Sequence, residues 1–338
     1  MNQVTKFDGT HEDLIHDVAF NYYGNRLATC SSDQKIKIWD YNETDGIWES
    51  TISFKASNTQ NRSKAAHSCA VLKTSWAHPE YGQVLASCSF DRSVIVWEES
   101  YHDATKKWTP VATLRDGNGT VQDVEFAPNH LGLRLAIVAA DGLVKIYEAM
   151  DVTSLAHWTM IDSFPVGEGP SKDEEGNHCL SWCTSKFTAQ MMVVGCAKDK
   201  IAKIFRQDLN NKWQACELLD GHRDVVHDVS WAPNMGRSYH LIATACKDGH
   251  VRIFKLTDDR EEGALVGGWT RKLFHVECIA DFADHNAEVW RVEWNVTGTI
   301  LSSSGDDGKV RLWKATYTKE WRCMSVVSAE DGPSAFQR

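Results

Sequence analysis

The chain has 338 residues, 42% hydrophobic and 24% charged, with 46 acidic against 36 basic side chains and a formal net charge of −10. That composition is ordinary for a folded globular protein and argues against nucleic acid as a partner, since nucleic-acid binders carry a basic patch or stripe. The first residues lack the basic start and the apolar core of roughly 7–15 residues of a targeting peptide, and no apolar run approaches the ~20 residues of a bilayer span, so direct membrane insertion is not expected.

In chain order, IHDVAF (15–20), RLATCS (26–31), KIKIWD (35–40) and WESTISF (48–54) read as four short strands. Their alternation is strand-like, and a polar turn at Asp33 separates the second from the third. The same phrase returns down the chain. An aspartate followed six residues later by an aromatic occurs at Asp33/Trp39, Asp91/Trp97, Asp141/Tyr147, Asp199/Phe205, Asp248/Phe254 and Asp307/Trp313. Upstream of each stands another aromatic: Phe20, Trp76, Phe126, Trp182, Trp231 and Trp294. Twelve anchors in register define six units, and the aromatic after each turn is 49 to 59 residues from the next. Asp-Gly at 141, 248 and 307 is tight-turn chemistry, because glycine accepts a positive φ. Polar stretches such as KASNTQNRSKAA and VGEGPSKDEEGN separate the units as surface loops.

Two further positions recur together. A histidine stands nine residues before the upstream aromatic in four units (His11, His67, His222, His285). In the same four, a hydroxyl stands four residues before the aspartate (Thr29, Ser87, Thr244, Ser303). Units three and four lose both at once, with Gly117 and Ile137 in one and Asp173 and Gly195 in the other. Joint loss is what a hydrogen-bonded network predicts, since half a buried network is worse than none. Cys30, Cys88 and Cys196, three residues before their aspartates, fit small buried strand positions. Cys179 and Cys183 form the only close cysteine pair and have no second pair at zinc spacing, so no metal, cofactor or disulfide is expected.

These units resemble WD repeats, in which His, Ser/Thr, Asp and Trp lock the strands of a β-propeller blade. Carried over, the full tetrads are His11–Thr29–Asp33–Trp39, His67–Ser87–Asp91–Trp97 and His285–Ser303–Asp307–Trp313, with His222–Thr244–Asp248–Phe254 lacking the indole donor. The expected fold is therefore an all-β, six-bladed WD-repeat β-propeller. Its blades are expected at 8–54, 64–113, 114–163, 175–218, 219–256 and 282–328, followed by a flexible tail at 329–338. Only ten residues precede His11, and EWRCMSVVS supplies the last unit with its own outer strand. No N-terminal strand then closes the ring, which is expected to stay open between blades one and six. An open ring leaves apolar blade faces uncovered, and a partner donating strands by β-augmentation would fill the gap.

DLIHDVAFNYYGNRLATCSSDQKIKIWD and WAHPEYGQVLASCSFDRSVIVWEE are similar to the first two blades of the Seh-type WD-repeat nucleoporins and of their paralogue, the propeller of the secretory vesicle coat. FAPNHLGLRLAIVAADGLVKIYEA, WAPNMGRSYHLIATACKDGHVRIFKL and HNAEVWRVEWNVTGTILSSSGDDGKVRLWKATY lean toward the nucleoporin. The fit is weakest across 55–75 and 160–178. The resemblance implies a scaffold of the Y-shaped outer-ring complex of the nuclear pore, at the nuclear envelope. Its open propeller would be filled by an α-solenoid nucleoporin, with other outer-ring nucleoporins as neighbours. It also implies service with nutrient-signalling subunits that regulate the TOR kinase at the cytosolic face of the lysosome or vacuole.

A vesicle-coat propeller or another WD-repeat adaptor is the alternative, and a channel-mouth peptide receptor or an enzyme is a third class. Catalysis is disfavoured. His16–Asp17 and His227–Asp228 look like acid/base pairs, but the same repeat position holds Gln122–Asp123 and Trp290–Arg291. Such variety reads as rim surface. Nor does any histidine sit to activate a serine, and no glycine-rich phosphate loop precedes a helix. Of the fourteen tryptophans most are anchors or strand starts, whereas Trp290 is expected at the surface. Trp290, Asp17, Asp123, Asp228 and Arg291 are the candidate partner contacts at the channel mouth.

Overall fold

The structure is a computed structural model describing residues 7, 9–54, 67–102, 105–115, 119–167, 178–186, 188–197, 199–258 and 274–328. The tail at 329–338 lies outside them, as do Gly117 and Asp173. Among the described residues the regular structure is 24 strands and two short 3-10 turns, and no helix is long and apolar enough to cross a membrane. The strands form six four-stranded antiparallel sheets, each in sequence order, and these are the blades of a β-propeller.

Blade one is β1 (Ile15–Phe20), β2 (Arg26–Ser31), β3 (Ile36–Asn42) and β4 (Ile47–Phe54). Blade two is β5 (Val71–Trp76), β6 (Val84–Ser89), β7 (Val94–His102) and β8 (Thr105–Leu114). Blade three is β9 (Val121–Phe126), β10 (Arg134–Ala139), β11 (Leu143–Ala149) and β12 (Trp158–Pro165). Blade four is β13 (His178–Trp182), β14 (Met191–Cys196), β15 (Ile201–Gln207) and β16 (Trp213–Leu219). Blade five is β17 (Val226–Trp231), β18 (Tyr239–Cys246), β19 (Val251–Asp258) and β20 (Phe274–Phe282). Blade six is β21 (Val289–Trp294), β22 (Ile300–Gly305), β23 (Lys309–Ala315) and β24 (Trp321–Ser328).

Blade five runs past the expected end at 256, because its fourth strand, β20, pairs with β19 only after a long excursion of the chain. Nothing in the repeat anchors that strand. Its sequence, FHVECIADF, carries neither the aspartate nor the upstream aromatic of the phrase.

Sheets that pack on both faces hide side chains of both parities. In β2, β6 and β14 all six residues are buried. The chain divides into two compact units, one reaching Pro165 and the other beginning at Val166. Within the first, Ala28, Ile36 and Ile38 of blade one pack with Val71, Leu85 and Trp97 of blade two, and Val84, Val94 and Val96 pack with Val124, Leu135 and Tyr147 of blade three. Within the second, Val193 and Ile204 pack with Val229 and Phe254, and Val251 and Ile253 pack with Val292, Leu301 and Trp313.

All six turns after the anchor aspartates place the next residue at positive φ: Gln34, Arg92, Gly142, Lys200, Gly249 and Gly308. Three of those residues are not glycine, so their turns carry strain of about 1 kcal/mol each. All ten cysteines are free thiols, and Cys30, Cys88 and Cys196 are buried.

Candidate functional site

The repeat aspartate sits in the turn between the second and third strands of its blade, and the histidine sits in the loop leading into the first strand. In blade one, His11 Nδ1 lies 2.9 Å from Asp33 Oδ2 and Nε2 lies 2.8 Å from Thr29 Oγ1. The Trp39 indole donates to the same hydroxyl at 3.0 Å. Since the carboxylate only accepts, Nδ1 carries the proton, the hydroxyl donates to Nε2, and the indole N–H donates to the hydroxyl oxygen. Every donor then has an acceptor. Blade two repeats this with His67, Asp91, Ser87 and Trp97, at 3.1, 2.8 and 2.9 Å. Blade six repeats it with His285, Asp307, Ser303 and Trp313, at 2.9, 2.8 and 2.8 Å. Burial raises the carboxyl pKa in each, but the histidine bond and neighbouring donors outweigh it. Asp33 and Asp91 are held below the usual carboxylate range, and Asp307 is pushed down to about 2.

Blade five is different. His222 Nε2 meets Thr244 Oγ1 at 2.9 Å, but Nδ1 makes no hydrogen bond. Arg252 occupies the carboxylate instead, with Nη2 2.9 Å from Asp248 Oδ2. Phe254 has no N–H to give, and its ring lies 5.7 Å from the imidazole. Burial and the Arg252 charge push the His222 pKa down to about 4. In blades three and four a lysine holds the aspartate: Lys145 lies 4.0 Å from Asp141, and Lys203 lies 2.6 Å from Asp199. Arg311 also binds Asp307. A basic residue four positions after the aspartate is therefore a second partner in blades three to six. The sequence shows one at five of six units, though it was not read there, and the fifth, Lys37, bonds Gly9 and Thr10 instead. Gly195, in the hydroxyl position of blade four, leaves room for Cys179, whose sulfur would lie 2.4 Å from an added Cβ.

The aspartates expected at a solvated rim are in part buried between blades. Asp123 and Asp228 are 1% and 4% exposed. Lys73 Nζ donates to Asp123 Oδ2 at 2.9 Å, and Val292 N donates to Asp228 Oδ2 at 3.0 Å. Asp17 accepts from Thr74 N at 3.0 Å. Arg291 Nη1 lies 3.7 Å from Asp228 Oδ1. These side chains join neighbouring first strands, so Asp123 and Asp228 are not open to a partner. The sequence does not show this because the burial comes from the adjacent blade, some 50 to 64 residues away. Trp290 is 43% exposed. Among the described residues no group of three His, Cys, Asp or Glu could hold a metal ion.

Two blade faces stand out. Ile15, Val18 and Phe20 of β1 are 45%, 46% and 56% exposed, with Leu14 beside them at 71%. The matching residues of β9, β17 and β21 are at most 7% exposed: Val121, Val124 and Phe126; Val226, Val229 and Trp231; Val289, Val292 and Trp294. In blade six, Val310, Met324 and Val326 are 39%, 57% and 45% exposed, whereas Ile36, Val94, Val144 and Val251, which match Val310, are at most 2%. The N-terminal arm lies on the blade-one face, with Phe7 5.0 Å from the Trp39 ring and Lys37 Nζ donating to Gly9 O at 3.1 Å.

Blades, turns and tetrads together define a WD-repeat β-propeller. The WD domain, G-beta repeat family model matches residues 1–40, 58–98, 213–255 and 276–314, the stretches that carry the repeat histidines. Three full-length relatives narrow the class. The chain is 40% identical to Schizosaccharomyces pombe nucleoporin seh1, covering 97% of each chain. It is 38% identical to Saccharomyces cerevisiae nucleoporin SEH1 over 96% of this chain and 99% of the relative. It is 43% identical to Homo sapiens nucleoporin SEH1 over 96% of this chain and 88% of the relative. The chain belongs to the SEH1 family of WD-repeat nucleoporins.

Proposed function

We propose that this chain is a non-enzymatic scaffold subunit of the nuclear pore complex, in its outer ring at the nuclear envelope, and that it takes up strands from an α-solenoid nucleoporin on the uncovered faces of its first and last blades. Family membership supports the pore assignment and association with other nucleoporins. The observation that carries the strand insertion is the β1 row of Ile15, Val18 and Phe20, exposed where its counterparts in other blades are buried. Exposed rows of this kind are what a partner covers, and strands laid face to face on them gain apolar contact while pairing their backbones with one another. The arm carrying Phe7 would give way to the incoming strands. The same faces would serve in a second assembly with nutrient-signalling subunits at the lysosomal or vacuolar surface.

The test is purification of the tagged chain from native extract, beside a Val18→Asp, Phe20→Asp double variant. Recovery of α-solenoid nucleoporins with the first and their loss with the second is the expected result. Recovery of vesicle-coat subunits, or of the chain alone, overturns the pore assignment. Retention of the solenoid proteins by the double variant overturns the insertion surface. Nutrient-signalling subunits in the same eluate would support the second assembly, and their absence would remove it.

A further inference from the structure

The pairing of β21 with β22 slips between Val289 and Arg291, which leaves Trp290 as the extra residue of a β-bulge. The same slip in β17, between Val226 and Asp228, makes His227 the extra residue of blade five. A bulge takes a side chain out of strand alternation and re-aims it. Here the two re-aimed rings meet: imidazole and indole centroids are 4.1 Å apart with an interplanar angle of 21°. The His227 side chain is only 5% exposed, while Trp290, the most exposed tryptophan among the described residues, is 43% exposed. His227 thus backs one face of the indole, and the opposite face is open.

The edge of the same ring is acidic. The indole N–H donates to Asp306 Oδ1 at 2.6 Å, and Asp306 is itself exposed. A carboxylate accepting at the ring edge pushes electron density toward the π faces and strengthens their attraction for a cation. Glu288 supplies a second carboxylate, 3.4 Å from His227 Nε2 and 3.6 Å from Lys247 Nζ. Burial lowers the His227 pKa against the pull of Glu288, so the imidazole behind the indole is neutral at pH 7 and does not repel a cation in front of it.

We propose that the open face of Trp290, with Asp306 and Glu288 at its margin, is a docking site for an arginine side chain carried on an extended segment of a protein partner. A purely apolar occupant would bury the Asp306 carboxylate with its charge uncompensated, and an acidic one would meet two carboxylates and a chain of net charge −10. Lysine would satisfy the charge, but only the guanidinium can lie flat on the ring while its edge donates to a carboxylate. This site is separate from the apolar blade faces and stands or falls independently of what covers them.

The experiment is a titration of the 15N-labelled full chain with the pentapeptide Ac-Gly-Ser-Arg-Ser-Gly-NH2 and its lysine and citrulline counterparts. It follows the Trp290 indole resonance and the amides of Arg291 and Asp306. Saturable shifts with arginine are expected, about fivefold weaker with lysine and absent with citrulline. Asp306→Asn should weaken arginine binding about fivefold with no change in melting temperature. Trp290→Ala should abolish the amide shifts, while Trp290→Phe, which keeps a ring face, retains part of them. Equal response to arginine and lysine, arginine binding that survives in Asp306→Asn or Trp290→Phe at full strength, or no saturable shift at all would overturn the proposal.

Discussion

Asp33→Ala and Asp199→Ala remove the same residue from the same repeat position, yet their costs should differ severalfold. Asp33 is 3% exposed at its side chain and accepts from His11 Nδ1, Glu12 N and Lys35 N at 2.9, 3.1 and 2.9 Å. Without it, the 1% exposed His11 keeps a buried donor with nothing to receive it. That alone costs about 1–3 kcal/mol, and the turn through Gln34 at positive φ loses the bond that holds it. A total of about 3 kcal/mol follows. Asp199 is 36% exposed and pairs with Lys203 near solvent, where such pairs contribute about 0–1 kcal/mol. Each compact unit is roughly 170 residues, so 1 kcal/mol corresponds to about 2–4 °C of melting temperature. Scanning calorimetry should therefore show losses of about 6–12 °C for Asp33→Ala and about 4 °C or less for Asp199→Ala. If Asp33 acts through His11, Asp33→Ala and His11→Ala are non-additive by about 1 kcal/mol or more. Equal melting losses for the two aspartates, or additivity with His11, would refute the network reasoning.

Arg26 donates to Asp40 at 2.7 Å and to both oxygens of Glu99 at 2.7 and 3.0 Å, tying blade one to blade two. Arg26→Ala strands the 5% exposed Glu99 and should cost about 3–5 kcal/mol, whereas the Arg26→Ala, Glu99→Ala double variant loses less; thermal melts decide it. Gly195→Ser restores the repeat hydroxyl on paper but meets the Cys179 sulfur, so it should destabilise by about 1–3 kcal/mol, with partial rescue by Cys179→Ala. A stabilising Gly195→Ser would show that the close approach is not what excludes serine. The imidazole of His222 takes up a proton near 6.5 when unfolded but only near 4 when folded. Its contribution is therefore complete above pH 6.5 and is lost, by about 2–3 kcal/mol, as pH falls to 4. His222→Gln should flatten this part of the stability–pH curve measured by urea titration, and an unchanged slope would sink the assignment.

The blade phrase was legible because it is local. Strand, turn and anchor lie within about twenty residues, and their alternation and turn chemistry repeat six times. The exposure of Trp290 was also legible, as a large aromatic at a position filled elsewhere by histidine and glutamine. The fourth strand of blade five was not, since Phe274–Phe282 pairs with a strand that ends at Asp258, far back in the sequence, and carries no repeat anchor. Asp123 and Asp228 were misread as rim residues for a related reason. Burial there is produced by the neighbouring blade, and only Lys73 and the Val292 amide, 50 and 64 residues away, reveal their role. The Lys or Arg four positions after the aspartate stood in plain view in five of the six units. It was passed over because a charge on a strand next to a turn reads by default as solvated.

Blades one and six, whose apolar rows are exposed, both carry complete tetrads and an extra arginine clamp, Arg26 in one and Arg311 in the other. The pairing has a physical basis. Leaving Leu14, Ile15, Val18 and Phe20 about half exposed forgoes roughly 1 kcal/mol each, taken from about 1.5–3 kcal/mol for full burial. The tetrad of blade one offsets a loss of similar size, about 3 kcal/mol. Blade three, with Val121, Val124 and Phe126 buried, holds its sheet without a hydroxyl at Ile137. Complete tetrads are not confined to exposed blades, as blade two shows, so the tetrad compensates for an open face without being caused by it. A consequence separates this from simple repeat inheritance. A partner that buries the β1 row should restore part of what Asp33→Ala removes, so the melting loss of that variant should shrink in the complex. A loss that persists unchanged when the partner is bound would mean the lock and the open face are energetically unrelated.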